Sequence, residues 1–200
     1  IVASRAIFPF YSSNHDEPVY VLQAEALLQG KLYLPADEYT DFFLGWFTKR
    51  DGDRVFFKYT PVHAAFLALG KLLFGSQRAA LGLIAAGDII LFYLLALEML
   101  RERRLAVAAA VCLALSPFFL IQSATFLSYL SSLLLNLAFA ILLLRGSARN
   151  SPPLLFLSGM ALGVAFFARP FDALLFAAPF GLLFLAQSWR QVWQLIKNAT

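Results

Sequence analysis

The sequence predicts an all-α fold, a polytopic bundle of membrane-spanning helices with further helices lying flat in one interface. Three observations predict it. Of 200 residues, 60% are hydrophobic and 14% charged, where a soluble domain carries roughly 25% charged residues. Residues 105–144 contain no Asp, Glu, Lys or Arg, and in water such a run would coat the surface with apolar side chains. Finally, arginines gather at intervals between the apolar stretches, as they do at the ends of membrane helices.

The chain reads as a single transmembrane domain. Residues 1–10 resemble the far end of a hydrophobic span rather than a signal peptide with a basic start and a small-residue cleavage site, so the sequence is expected to be a fragment. A helix needs about 20 apolar residues to cross the ~30 Å hydrocarbon core. Residues 76–100 meet that length. Residues 105–144 suit two spans joined by a turn near 122–125, with Pro117 kinking the first. Residues 154–189 suit a hairpin of short helices, interrupted at its tip by Arg169, Pro170 and Asp172. About five spans therefore follow residue 76.

Arg101, Arg103 and Arg104, then Arg145 and Arg149, then Arg190 and Lys197 fall on one side of these spans. The positive-inside rule makes that side cytoplasmic and residues 11–75 extracytoplasmic. Within 11–75, one helix is expected to open at Glu17 and Pro18 and to stop at Gly30. A second opens at Thr60 and Pro61 and carries Val62, Ala65, Phe66, Leu69, Leu72 and Leu73 at 3 and 4 spacing, the stripe of a helix lying in the interface. Between them, residues 49–54 (KRDGDR) read as a solvated turn around Gly52.

A lone Cys112 excludes an intrachain disulfide and reads as a small buried hydrophobe. The net charge of +4 belongs to helix ends rather than to a basic and aromatic patch, so no nucleic acid is expected. The GxSxG, Walker and dinucleotide patterns are absent.

What remains for chemistry is a short set of polar residues. Asp16 and Glu17 either cap a helix, where acids are favoured, or serve a reaction as base and acceptor guide. Asp88 lies mid-span, where an ionised carboxylate costs at least ~2.5–3.5 kcal/mol unless paired or wet; Asn136 is one partner to expect. Arg169 either pairs with Asp172 or binds a lipid phosphate. His15 and His63 make a poor zinc framework by spacing, although His15 beside Asp16 leaves an open divalent-metal site to consider.

The segments DEPVYVLQAEALLQGKLYLP, KYTPVHAAFLALGKLLFG, LSPFFLIQSATFLS and FFARPFDALLFAAP, in that order, resemble the GT-C membrane glycosyltransferases. The likeness is to the family 39 group of protein O-mannosyltransferases and bacterial aminoarabinose transferases. That resemblance implies an inverting transfer of a sugar from a polyprenyl-phosphate donor to a protein, lipid or glycan acceptor at the outer face of a membrane, with a prokaryotic inner membrane as the setting. It implies Asp16 as the catalytic acid and Glu17 as its neighbour. It also implies Arg169, Lys58 and Tyr59 at the donor phosphate, with His15, His63 and Asp88 as possible supporting residues. Several relatives carry a second acid at the outer start of the fourth span. Phe126, Leu127, Ser128 and Tyr129 stand there instead, which weakens the case for a metal. The rival reading is a transporter or channel subunit, but paired repeats and broken midplane helices are not evident in the sequence.

Overall fold

The computed structural model describes residues 6, 8–9, 12, 14–43 and 45–199, with the side chains of 43, 184 and 187–199 set aside. The span end expected over residues 1–10 falls mostly outside them, as do the side chains of Arg190 and Lys197. Among the described residues the order is α1 (Asp16–Leu28), β1 (Leu34–Pro35), α2 (Thr40–Phe43), β2 (Thr48–Asp51), β3 (Arg54–Phe57), α3 (Val62–Phe74), α4 (Gln77–Leu100), α5 (Arg103–Leu115), α6 (Pro117–Ala124), α7 (Tyr129–Ala148), α8 (Pro152–Ala168) and α9 (Pro170–Ala199).

The membrane part follows from the apolar runs. Helices α4 and α7, of 24 and 20 residues, extend ~36 and ~30 Å at ~1.5 Å per residue, enough to cross. Helices α5 and α6 make a third crossing if counted together, bent by 57°. The bend falls at Ser116, because Pro117 has no N–H to give to the preceding turn. Helix α8 and the apolar start of α9 are shorter, and Arg169 stands between them. The bundle is therefore all-α where it meets lipid, as expected.

Residues 14–75 depart from the expectation in one way. Residues 49–54 do form a turn around Gly52, but its flanks pair into an antiparallel hairpin, and the sheet runs β1-β3-β2. Gly52 has φ 60° in a two-residue connection, the conformation that a type II′ turn asks of its first central residue. Helix α3 turns its apolar stripe outward, as a helix lying in the interface does. The stripe of Leu69, Leu72 and Leu73 is 51%, 71% and 62% exposed, while His63, Ala64, Leu67, Ala68 and Gly70 are buried. Lipid accepts large apolar side chains as readily as a protein core does, so small residues take the packed face and let the backbones approach. Cys112 is also exposed rather than buried, on an α5 that turns most of its side chains outward.

Gly70 is where α3 meets α4. A Cβ there would stand 2.6 Å from the Ala80 Cβ and 2.8 Å from the Ala80 backbone nitrogen, and the helix reverses just beyond at Gly75, whose φ of 69° closes α3. Gly70→Ala should therefore destabilise the protein in detergent by about 1–3 kcal/mol, outweighing the ~1 kcal/mol that alanine gains in a helix. Gly159→Ala, with nothing within 4 Å, should be neutral or stabilising in the same thermal melt. Equal melting temperatures for both variants would show that the α3–α4 contact is looser than this.

Candidate functional site

Helix α1 opens without a side-chain cap: His15 holds the cap position and bonds nothing there. The Asp16 N–H is met by Asn14 Oδ1 at 2.9 Å. Asp16 and Glu17 occupy the first two helical positions and Pro18 the third, all within the turn where backbone N–H groups lack helical partners. Neither acid is the cap residue, but both stand in the first turn, where free N–H groups and the helix dipole favour negative charge.

Neighbouring helical residues point about 100° apart, and the two acids have different surroundings. Glu17 is fully buried. One of its oxygens accepts the Phe126 N–H at 2.8 Å and the other accepts from Ser12 N at 3.1 Å and from the Ser12 hydroxyl. Asp16 is half-buried, with its carboxylate near the Tyr59 phenol. Burial first, and then the Asp16 carboxylate, drive that phenol well above its ordinary value, so it stays protonated at any working pH.

The same stretch of chain is held from a second helix. His63 is buried on α3, with Nε2 3.0 Å from the Phe126 carbonyl and Nδ1 3.0 Å from Ser131 Oγ. A carbonyl only accepts, so Nε2 carries the proton and the ring is the acceptor for Ser131. Just beyond, Ser128 Oγ accepts from Tyr20 at 3.0 Å and from Arg169 Nη1 at 3.3 Å. The Arg169 guanidinium lies 4.3 Å from the Tyr129 ring centre and pairs with Asp172. Burial raises the Tyr20 phenol, opposed by Ser128 and by the charge of Arg169 and assisted by that of Asp16. Tyr20 therefore feels both charges. A cavity of about 220 Å³ opens beside it, lined by Tyr20, Tyr59 and residues 168–172.

Asp16, Tyr59 and Arg169 thus share one neighbourhood, and the other expected residues lie around or away from it. Lys58 sits over the Phe47 ring at 4.2 Å. His15 turns to Trp46, with ring centres 5.3 Å apart. His63 lies behind Tyr20, edge to face at 4.9 Å. Asp88 is fully buried, and both its oxygens lack a hydrogen-bond partner among the described residues, as does Asn136 Oδ1; the Asn136 amide turns to Ser132 at 3.4 Å. Among the described residues no three His, Cys, Asp or Glu side chains converge as metal ligands. With His15 stacked away from Asp16, no step of the chemistry below is assigned to a metal.

Tyr20 was not singled out in the sequence, although it had a signal, being four residues after Asp16 and so on its face of the helix. Ser128 and Tyr129 were named there only as standing where several relatives carry an acid, and their contacts were not legible, since the partners of Ser128 lie 41 and 108 residues away.

The sequence model of the family described as dolichyl-phosphate-mannose-protein mannosyltransferase matches residues 58–198. No curated protein and no solved structure matches the chain. The matched stretch holds Tyr59, His63, Ser128, Tyr129 and Arg169, and it begins after Asp16 and Glu17.

Burial pushes His63 from 6.5 down to about 4, against the opposing pull of the Phe126 carbonyl. Between those values the unfolded chain takes up a proton that the folded one refuses, so stability falls as the pH drops. It is complete above 6.5 and declines by about 1.4 kcal/mol per pH unit toward 4. Melting at pH 7 and pH 5 should differ more for the wild type than for His63→Gln, which keeps a donor for Phe126 but cannot charge. Identical differences would mean that the imidazole is solvated.

Proposed function

The chain belongs to the dolichyl-phosphate-mannose-protein mannosyltransferase family, a family of membrane glycosyltransferases, and from that premise we propose an inverting sugar transfer from a polyprenyl-phosphate donor at the outer membrane face. The observation that carries this reading is Arg169 on the wall of a small cavity shared with Tyr20 and Tyr59. The charge of Asp16 acts on both of these phenols and that of Arg169 on Tyr20.

The chemistry needs those two charges. An acceptor hydroxyl, from a protein or a glycan, gives its proton to the Asp16 carboxylate as its oxygen bonds to the anomeric carbon. The bond from that carbon to the phosphate oxygen breaks on the opposite face, and the departing polyprenyl phosphate carries its negative charge to Arg169. Tyr59 keeps Asp16 oriented by donating to it. Asp172, Ser128 and the Tyr129 ring do the same for Arg169. Glu17 holds the Phe126 backbone and is a positioning residue in this scheme. Lys58, on the Phe47 ring, adds positive charge at the rim.

A lipid-linked donor also needs a place for its chain. Next to the polar cavity is an apolar groove of about 460 Å³ lined by Leu27, Pro61, Val62, Ala65, Phe66, Leu69 and Val164. Pro61 is two residues from Tyr59, and Val164 is just over one helical turn before Arg169. An amphiphile with its phosphate at Arg169 would have its chain beside this groove, which supports a lipid donor over a soluble sugar nucleotide. The arginine distribution supports a site facing away from the cytoplasm, and the resemblance points to a prokaryotic inner membrane.

Asp16→Asn in the intact protein should fold and melt within about 1 kcal/mol of wild type, because Asp16 is not the helix cap. Transfer from dolichyl-phosphate-mannose should fall on the order of a hundredfold or more, the scale of lost general-base catalysis. A well-folded variant with near wild-type transfer would remove Asp16 from the chemistry.

Arg169→Lys should keep part of the activity and Arg169→Ala almost none, since lysine keeps the charge but not the planar fork. Binding of dolichyl phosphate, measured alongside folding, checks the cause. Equal affinity in wild type and Arg169→Ala would leave Arg169 to its ion pair with Asp172.

A further inference from the structure

Among the described residues, the β-sheet segment carries an exposed aromatic face that the scheme above does not use. Trp46 is 70% exposed, in the turn between α2 and β2. One face of its indole rests on the His15 ring, with centres 5.3 Å apart and planes 13° from parallel. The Phe47 ring meets its edge at 6.5 Å and 68°. The backbone that presents it is pinned: Thr48 gives its N–H and its hydroxyl to the Gly45 carbonyl at 3.3 and 2.6 Å, and Lys58 N–H is 2.9 Å from the Phe47 carbonyl. Phe47 holds φ 65°, a left-handed setting that strains a bulky residue and carries a cost in stability. A turn maintained at that cost with a flat aromatic facing outward is built to present the ring.

Two links tie this ring to the candidate base. His15, under the indole, precedes Asp16 directly. Phe47 lies 5.8 Å from the Tyr59 ring, whose phenol feels the Asp16 carboxylate. The other side of the same turn, through Gly45 and Thr48, lines a separate cavity of about 210 Å³ with a mixed polar and apolar wall. Trp46 therefore stands at the edge of this cavity, on a turn joined through His15 and Phe47 to the surroundings of Asp16.

We propose that the outer face of Trp46 is a stacking platform for a pyranose ring, resting on the sugar-transfer reading. A sugar ring offers an apolar face of C–H groups and a rim of hydroxyls. An aromatic face with its reverse side stacked and its backbone pinned matches the first, and Asp37, Thr40 and Thr48 on the neighbouring cavity match the second. Insertion into the bilayer is the competing use of an exposed tryptophan. The charges of residues 31–58 balance, five acidic against five basic, with Asp41 paired to Arg50, so no excess of positive charge draws the segment onto an anionic headgroup layer.

The test uses the intact protein in detergent, with Trp46→Phe and Trp46→Ala. The probes are dolichyl-phosphate-mannose, dolichyl phosphate without sugar, and a short mannosyl glycan as acceptor. If the donor's sugar stacks there, Trp46→Ala weakens dolichyl-phosphate-mannose roughly tenfold, the order of one aromatic stacking contact, and leaves dolichyl phosphate unchanged. If the acceptor's sugar stacks there, KM for the glycan rises by a similar factor while donor binding holds. Trp46→Phe retains part of either effect. The proposal is overturned if Trp46→Ala binds and transfers like wild type, or if it instead loses retention in lipid bilayers, the mark of a membrane anchor. Because wild-type transfer is measured in the same assay, either result separates this site from the sugar-transfer reading itself.

Discussion

One peptide unit holds the outer part of this molecule together. The N–H of Phe126 is taken by Glu17 on α1 and its carbonyl by His63 on α3, both buried side chains reaching across from helices in the outer segment. A charged acceptor makes the first of these bonds one of the stronger kinds. Leaving either backbone group unpaired in a dry site would cost about 1–3 kcal/mol. The linker between α6 and α7 therefore has one position, and Ser128 and Tyr129 have one position with it. Arg169 follows, since its contacts outside its own turn are to those two residues. The guanidinium of a distant hairpin is thus placed by two titratable groups it never touches.

This constraint also accounts for where the packing is tight. To bring His63 to the Phe126 carbonyl, α3 has to lie close on the bundle, and it does so with Ala64, Ala68 and Gly70 on the inner face. Glu25 adds a tether between Lys71, at 2.6 Å, and the amide of Gln77, also at 2.6 Å. Being partly exposed, that tether contributes little energy. It does fix the angle at which the two outer helices enter the first long span.

The helices were legible in the sequence because lipid imposes a length and a composition that polar clusters interrupt, and the kink at Pro117 had a covalent cause. The strands were not legible. None exceeds four residues, and β2 (TKRD) reads as a polar turn until its partner is in place. The stripe on α3 was legible as an interfacial face, whereas the packed face of Ala64, Ala68 and Gly70 was not, because small residues carry no apolar signal of their own. The candidate site was half legible. Asp16 and Arg169 could be picked out as charges at the ends of apolar helices, whereas the Phe126 clamp joins residues 63 and 109 positions apart through a backbone that has no side-chain signature.

The adjacent acids illustrate how far two neighbouring residues can diverge. One helical step turns Glu17 into the bundle, where it is spent on the backbone, and leaves Asp16 at the edge with a phenol as its partner. The position at which several relatives of the resemblance carry a second acid is filled here by Ser128 and Tyr129. A carboxylate there would fall within reach of Arg169 and compete with any phosphate for the guanidinium. A hydroxyl and an aromatic face support the guanidinium without neutralising it. Asp172 is then the one acid among the described residues paired with Arg169, and at 43% exposure its hold is weakened by water. Under the proposed transfer, a site arranged in this way would keep one negative charge for the proton and one positive charge for the departing phosphate.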